Sequence, residues 1–176
     1  MILTCPECAS RYFVDDSKVG SAGRVVRIPV VSLPALPADA SMSAAGGVAL
    51  KELVTLDRDE SAVALMALDA VDSTLFLATA WGQVKRVIHD VPAAARDWNV
   101  IRLDDEDWVV GAMQVRSDSG EVVLITDDAQ LLHFDITAVR ASGRPAGGVA
   151  GIRLAEDALV ISLETLAGRL KRTDRP

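Results

Sequence analysis

Three groups of residues have the types and spacing to do chemistry. Cys5-Pro6-Glu7-Cys8 puts two thiols two residues apart, the spacing at which both thiolates reach one tetrahedral zinc ion. Asp104-Asp105-Glu106-Asp107 offers carboxylate oxygens of the kind calcium and magnesium prefer. The stretch 139–149 carries Arg140 and Arg144 among Gly143, Gly147 and Gly148, and no acid stands anywhere from 136 to 155. Glycines let backbone amides approach a phosphate closely, and arginines neutralise it.

Weighed singly, the first two groups lose. Cys5 and Cys8 are the only cysteines, and half a ribbon cannot close a four-cysteine site. Three rescues remain: His89 and His133 as the missing ligands, a zinc shared across a dimer, or a redox pair. Neither histidine has a partner at ligand spacing, and a redox pair belongs beside a βαβ pattern that is absent here. The cysteines are therefore read as inert, and no cofactor is expected beyond zinc in a shared or incomplete site. Four consecutive acids lack the alternation of a calcium loop and read as a solvated turn. No nucleophile, base and orienting group share an informative spacing, so an enzyme is not expected.

The elements that must position the arginines form a repeat. A six-residue stem occurs four times: Gly-Arg-Val-Val-Arg-Ile (23–28), Gly-Gln-Val-Lys-Arg-Val (82–87), Ala-Gln-Leu-Leu-His-Phe (129–134) and Gly-Arg-Leu-Lys-Arg-Thr (168–173). In the last three, a threonine (Thr79, Thr126, Thr165) stands three residues before the small residue and closes an apolar run. Strand, turn residues, strand is the pattern of a β-hairpin. The starts are 59, 47 and 39 residues apart.

Around the stems the chain divides into an incomplete zinc-ribbon-like segment, 1–22, and a repeat array, 23–176. The array reads as blades at about 23–70, 73–116 and 120–163, with a partial fourth at 159–173. Each full blade is expected to hold four strands. In the second, 75–79, 83–87, 99–103 and 108–115 qualify; in the third, 122–126, 130–134, 149–154 and 159–163. In the first, 48–56 and 62–68 are the later strands, and Tyr12-Phe13-Val14 is the only candidate for an opening one. The residues 29–47 read as a Pro- and small-residue-rich connector. The fold class is all-β, a propeller-like array.

The totals agree with that architecture. Half of the residues are hydrophobic but only 4% aromatic, so the core is built of Val, Leu, Ile and Ala. No apolar run approaches the ~20 residues of a membrane span. The start of the chain lacks the charged and apolar regions of a signal peptide, and a cytoplasmic location is expected. Net charge is −7, yet 140–176 holds seven Lys/Arg against four Asp/Glu.

The residues 1–27 resemble the opening half of a small bacterial zinc-ribbon family, with Ile28 where a third cysteine would stand. From about Gly23 to Arg172 the sequence resembles the C-terminal β-pinwheel of bacterial type IIA topoisomerase A subunits, gyrase or topoisomerase IV-like and of actinobacterial type. The resemblance rests on the segments 75–86 (Leu-Phe-Leu-Ala-Thr-Ala-Trp-Gly-Gln-Val-Lys-Arg) and 123–134. The segment 143–154 (Gly-Arg-Pro-Ala-Gly-Gly-Val-Ala-Gly-Ile-Arg-Leu) strengthens it. It implies a non-catalytic domain that binds and bends duplex DNA for a separate cleavage core. The DNA-contacting residues expected are Arg140, Arg144 and Arg153, with the stem cations Arg24, Arg27, Lys85, Arg86, Arg169, Lys171 and Arg172 forming a band. The alternative is a truncated or fused interaction module that no longer binds DNA. An open array leaves strand edges free, which favours homo-oligomers.

Overall fold

The computed structural model describes residues 2–4, 11–13, 22–33, 35, 48–57, 60–68, 72–88, 90–116 and 120–166. The architecture is all-β. Strands β1 (Ile2–Thr4) and β2 (Arg11–Phe13) pair antiparallel with each other. Residues Tyr12 and Phe13 thus belong to a separate two-stranded sheet rather than opening the first blade. The blades follow as β3 (Arg24–Val26), a short helix α1 (Leu50–Leu53), β4 (Ser73–Thr79), β5 (Gln83–Val87), β6 (Asp97–Asn99) and β7 (Val109–Arg116). The third blade is β8 (Glu121–Thr126), β9 (Leu131–Asp135) and β12 (Val160–Leu166), with β10 (Ala141–Ser142) and β11 (Val149–Ala150) between β9 and β12.

The hairpins form for the reason their spelling indicates. Gly82 and Ala129 occupy left-handed conformations, at φ 80° and 65°, and each donates its N–H back to the threonine carbonyl three residues earlier. The threonine hydroxyls complete the turn: Thr79 Oγ1 accepts from the Gln83 N–H at 3.2 Å and Thr126 Oγ1 from the Gln130 N–H at 2.9 Å. Both threonines are buried, so these bonds satisfy groups that water does not reach. An alanine at positive φ is strained by ~1–2 kcal/mol, partly offset by the greater freedom glycine has when unfolded. Ala129→Gly is therefore expected to stabilise the protein by ~0.5–1 kcal/mol in denaturant titration.

Strand order departs from the linear reading. Blade two runs β5-β4-β7 and blade three β9-β8-β12, so the last strand of each blade pairs with its first. The expected third strands go elsewhere. β6 pairs with β3 of the first blade, and β11 pairs with β5 of the second. Each of these strands thus crosses to the stem of the blade before it. The first of them is also displaced, covering 97–99 where 99–103 was expected, and the second is shorter, covering 149–150 where 149–154 was expected. In the first blade, 48–56 contains α1 in place of a strand, and the described residues of 62–68 form none.

The core follows the period of the strands. In β4, Phe76 and Ala78 face one apolar cluster with Val122, Leu124 and Val160, while Leu77 faces another with Val100, Ile101 and Val109. Both faces of the middle blade are therefore buried. Phe76 reaches Phe134 of the third blade, ring centroids 6.2 Å apart. Gly111 in β7 lies under Leu163 of β12, where a Cβ would sit 2.8 Å from the leucine Cβ.

Candidate nucleic-acid interface

The 140–150 segment is an arm laid on the outer edge of β5. It enters as β10, parallel to β5 with Ala141 opposite Arg86 and Ser142 opposite Val87. It leaves as β11, antiparallel, with Val149 opposite Val84 and Ala150 opposite Gln83. Between the two, a turn closed by the Ala146 N–H on the Gly143 carbonyl carries Arg144. Close backbone approach explains the glycines. A Cβ on Gly148 would lie 2.9 Å from Gln83 Cβ, and one on Gly151 2.6 Å from Val84 Cγ1.

The stem cations hold such arms in place. Lys85 is 1% exposed, and its ammonium donates to the carbonyls of Arg144 at 3.0 Å and Ala146 at 2.5 Å. Burial pushes that ammonium below its ordinary pKa. Arg27 does the same for the segment that leads into β6: its guanidinium donates to Ala93 O at 2.9 Å and Pro92 O at 2.6 Å and lies 5.5 Å over the Trp98 ring. Arg24 clamps the Glu60 carboxylate and reaches Asp97 at 2.9 Å, and its hydrogen bonds hold Glu60 below the usual carboxylate range. Arg86 is half-buried and directed at the Ile136 carbonyl, 3.4 Å away. Loop carbonyls without ladder partners need donors, and long cationic side chains supply them. The expected band is thus drawn inward at Lys85, Arg24 and Arg27. Arg169, Lys171, Arg172, Cys5 and Cys8 lie outside the described residues, as does His89. His133 Nε2 stands 3.3 Å from Glu121 Oε2.

Arg140 and Arg153 are exposed, and Arg144 is half-buried with Nε 2.9 Å from Asp90 Oδ2. Arg102 joins them. It is exposed, and its N–H donates to the Ala146 carbonyl of the arm at 3.2 Å. The signal for it lies in the sequence, because Ile101-Arg102-Leu103 matches Ile152-Arg153-Leu154. The acidic turn is only partly solvated: Asp104, Asp105 and Glu106 are exposed, but Asp107 is buried and accepts the amides of Trp81 and Trp108 at 3.1 and 2.9 Å.

The family comparison covers the two blades that carry this arm. The model of the DNA gyrase C-terminal domain, beta-propeller, matches residues 73–116 and 120–167. The chain belongs to the DNA gyrase C-terminal-domain family. It is 34% identical to the DNA gyrase A protein of Salmonella typhimurium over 81% of its own length and 16% of that protein's. It is 32% identical to the DNA gyrase A protein of Dehalogenimonas lykanthroporepellens over 68% of the chain and 15% of the relative. The chain therefore spans about a sixth of the proteins it matches. Its fold is that of the C-terminal domain of DNA topoisomerase IV, with a TM-score of 0.70 at 23% identity, covering 85% of this chain and 46% of that one. The DNA gyrase A C-terminal domain superposes with a TM-score of 0.53 at 27% identity, covering 66% of this chain and 39% of that one. In this family's fold, the matched blades hold the exchanged arm and its arginines.

Proposed function

We propose that this gyrase-type domain binds duplex DNA without sequence preference along the arm, through Arg140, Arg144, Arg153 and Arg102. The observation that carries the reading is the arm itself, acid-free from 136 to 155 and fastened to β5 by two strand pairings and a buried lysine. A rigid cationic loop meets phosphates without the entropy cost of ordering first. Contacts of that kind position DNA without reading bases. Arg144 exchanges Asp90 for a phosphate on binding. The domain performs no chemistry and supports a separate topoisomerase core, in the reducing cytoplasm that two cysteines three apart suggest.

The inward use of Lys85, Arg24 and Arg27 favours the rival reading, an interaction module that has given up DNA. Titration of a labelled duplex of ~40 base pairs separates the two. With two or three phosphates neutralised, affinity falls roughly 12- to 40-fold between about 50 and 200 mM salt. Arg140→Ala with Arg153→Ala is expected to reduce the salt slope by about 2. Absence of binding at low salt by the folded protein leaves the interaction module standing.

A further inference from the structure

Among the described residues, the strand exchange leaves one joint half-made on either side of the second blade. β3 receives β6 and β5 receives β11, but among the described residues the outer edge of β9 receives nothing. At that edge Leu131, the counterpart of Val84, is 64% exposed. The missing insert is present elsewhere in the same chain. Aligned with 141–150, the residues 40–49 are identical at seven of ten positions, including Ala-Gly-Gly-Val-Ala at 45–49 against 146–150. Val48 and Ala49 are the counterparts of Val149 and Ala150 in β11. They are exposed and belong to no strand. The one strand pair that precedes the first blade among the described residues, β1-β2, makes no pairing with Val48 or Ala49.

We infer that Val48–Ala49 of one copy pairs antiparallel with Gln130–Leu131 at the β9 edge of a second copy, joining the domains head to tail. The register is the one β5 and β11 display, Val48 opposite Leu131 and Ala49 opposite Gln130. The receiving residues match: Gln83 lies under Gly148 in the existing joint, and β9 has Gln130 at that place while the first arm has Gly47. Two apolar β-formers, Val48 and Leu131, leave water together. The joint ends at Ala49. There the chain turns into α1, whereas in the β5 joint the arm continues over Gly82 with Ile152 Cγ2 3.0 Å from a Cβ built on it. Ala129 carries a methyl at that spot, so a shorter arm is the one that fits. The donor arm and the acceptor edge are different surfaces, so the interface is heterologous and closes into a ring or extends as a chain.

The test is molar mass by sedimentation equilibrium, from about 1 to 200 µM, the span in which weak strand-edge contacts saturate. The full chain is expected to rise to at least twice 18.7 kDa. Gly151 donates to the Gly82 carbonyl at 2.8 Å, so the pair two residues back in the arm and two forward in β5, Val149 opposite Val84, also exchanges backbone bonds. Val48→Pro removes the matching amide and Leu131→Lys charges the edge; both sites are exposed, so both variants fold, checked by circular dichroism. Each alone is expected to stay monomeric, while their equimolar mixture associates, because one keeps the edge and the other the arm. A wild-type monomer throughout the range, as when residues 167–176 or a following segment cover β9, overturns the inference. So does a Val48→Pro protein that still associates, the outcome of β9 pairing with β9.

Discussion

Lys85→Ala is expected to destabilise the domain by ~2–4 kcal/mol, a large share of the 5–15 kcal/mol by which a typical domain is stable. Two costs add. The aliphatic stem vacates a place that is 1% exposed, and the carbonyls of Arg144 and Ala146 lose a charged donor. Lys85→Met keeps the stem and is expected to cost ~1–2 kcal/mol, because the carbonyls stay without a donor while the turn reaches water by opening slightly. Hydrogen exchange locates the damage. The amides of Ile88, Arg102 and Gly151, which hold the arm, lose protection before those of β4 and β7 do.

The same lysine sets a pH signature. Its folded pKa lies below the 10.5 of the free side chain. Between the two values the unfolded chain binds more protons than the folded one, so stability rises with pH through that window. Wild type is therefore expected to gain on Lys85→Met as pH climbs toward 10.5. Parallel pH profiles for the two proteins would mean that the ammonium is not buried against the arm.

Gly82→Ala is expected to cost ~2–4 kcal/mol in urea titration, more than the ~1–2 kcal/mol of the left-handed conformation alone. The excess comes from the arm. The new Cβ meets Ile152 Cγ2 and the Ile152 carbonyl oxygen, each at 3.0 Å, and one of these is backbone that cannot rotate away. The Gly151 and Ile152 amides, which both donate to the Gly82 carbonyl, shift with it. Ala129 shows that the turn by itself tolerates a methyl, at φ 65° and with no strand laid across it. The contrast between the two positions isolates the contribution of the exchanged strand. Equal costs for a methyl at the two sites would remove it.

Local chemistry was legible in the sequence. The small residue of each stem is required by a positive φ, and the threonine three residues earlier supplies a hydroxyl to the turn. Period-two apolar runs placed β4, β5, β7, β8 and β9 within a residue or two of where they lie. The acid-free run with its arginines and glycines was equally visible, as was the family that combines these segments. Pairing was not legible. An alternating run says that a segment is a strand, but its neighbour is chosen by contacts across many residues. The third strands therefore read as members of their own blades, when each in fact crosses to the one before. The fate of the cations followed from that choice. Lys85 and Arg27 look like surface charges in a stem, and they become donors to loop carbonyls, Lys85 a buried one, only because a neighbouring blade lays those carbonyls over them. Residues 40–47 read as part of a connector for the same reason, since their likeness to 141–148 carries meaning only once the latter are seen laid on β5. Turn and strand were settled within a few residues by backbone sterics and side-chain period. Which edge each strand covers, and which charges face water, was decided by the packing of one blade on the next.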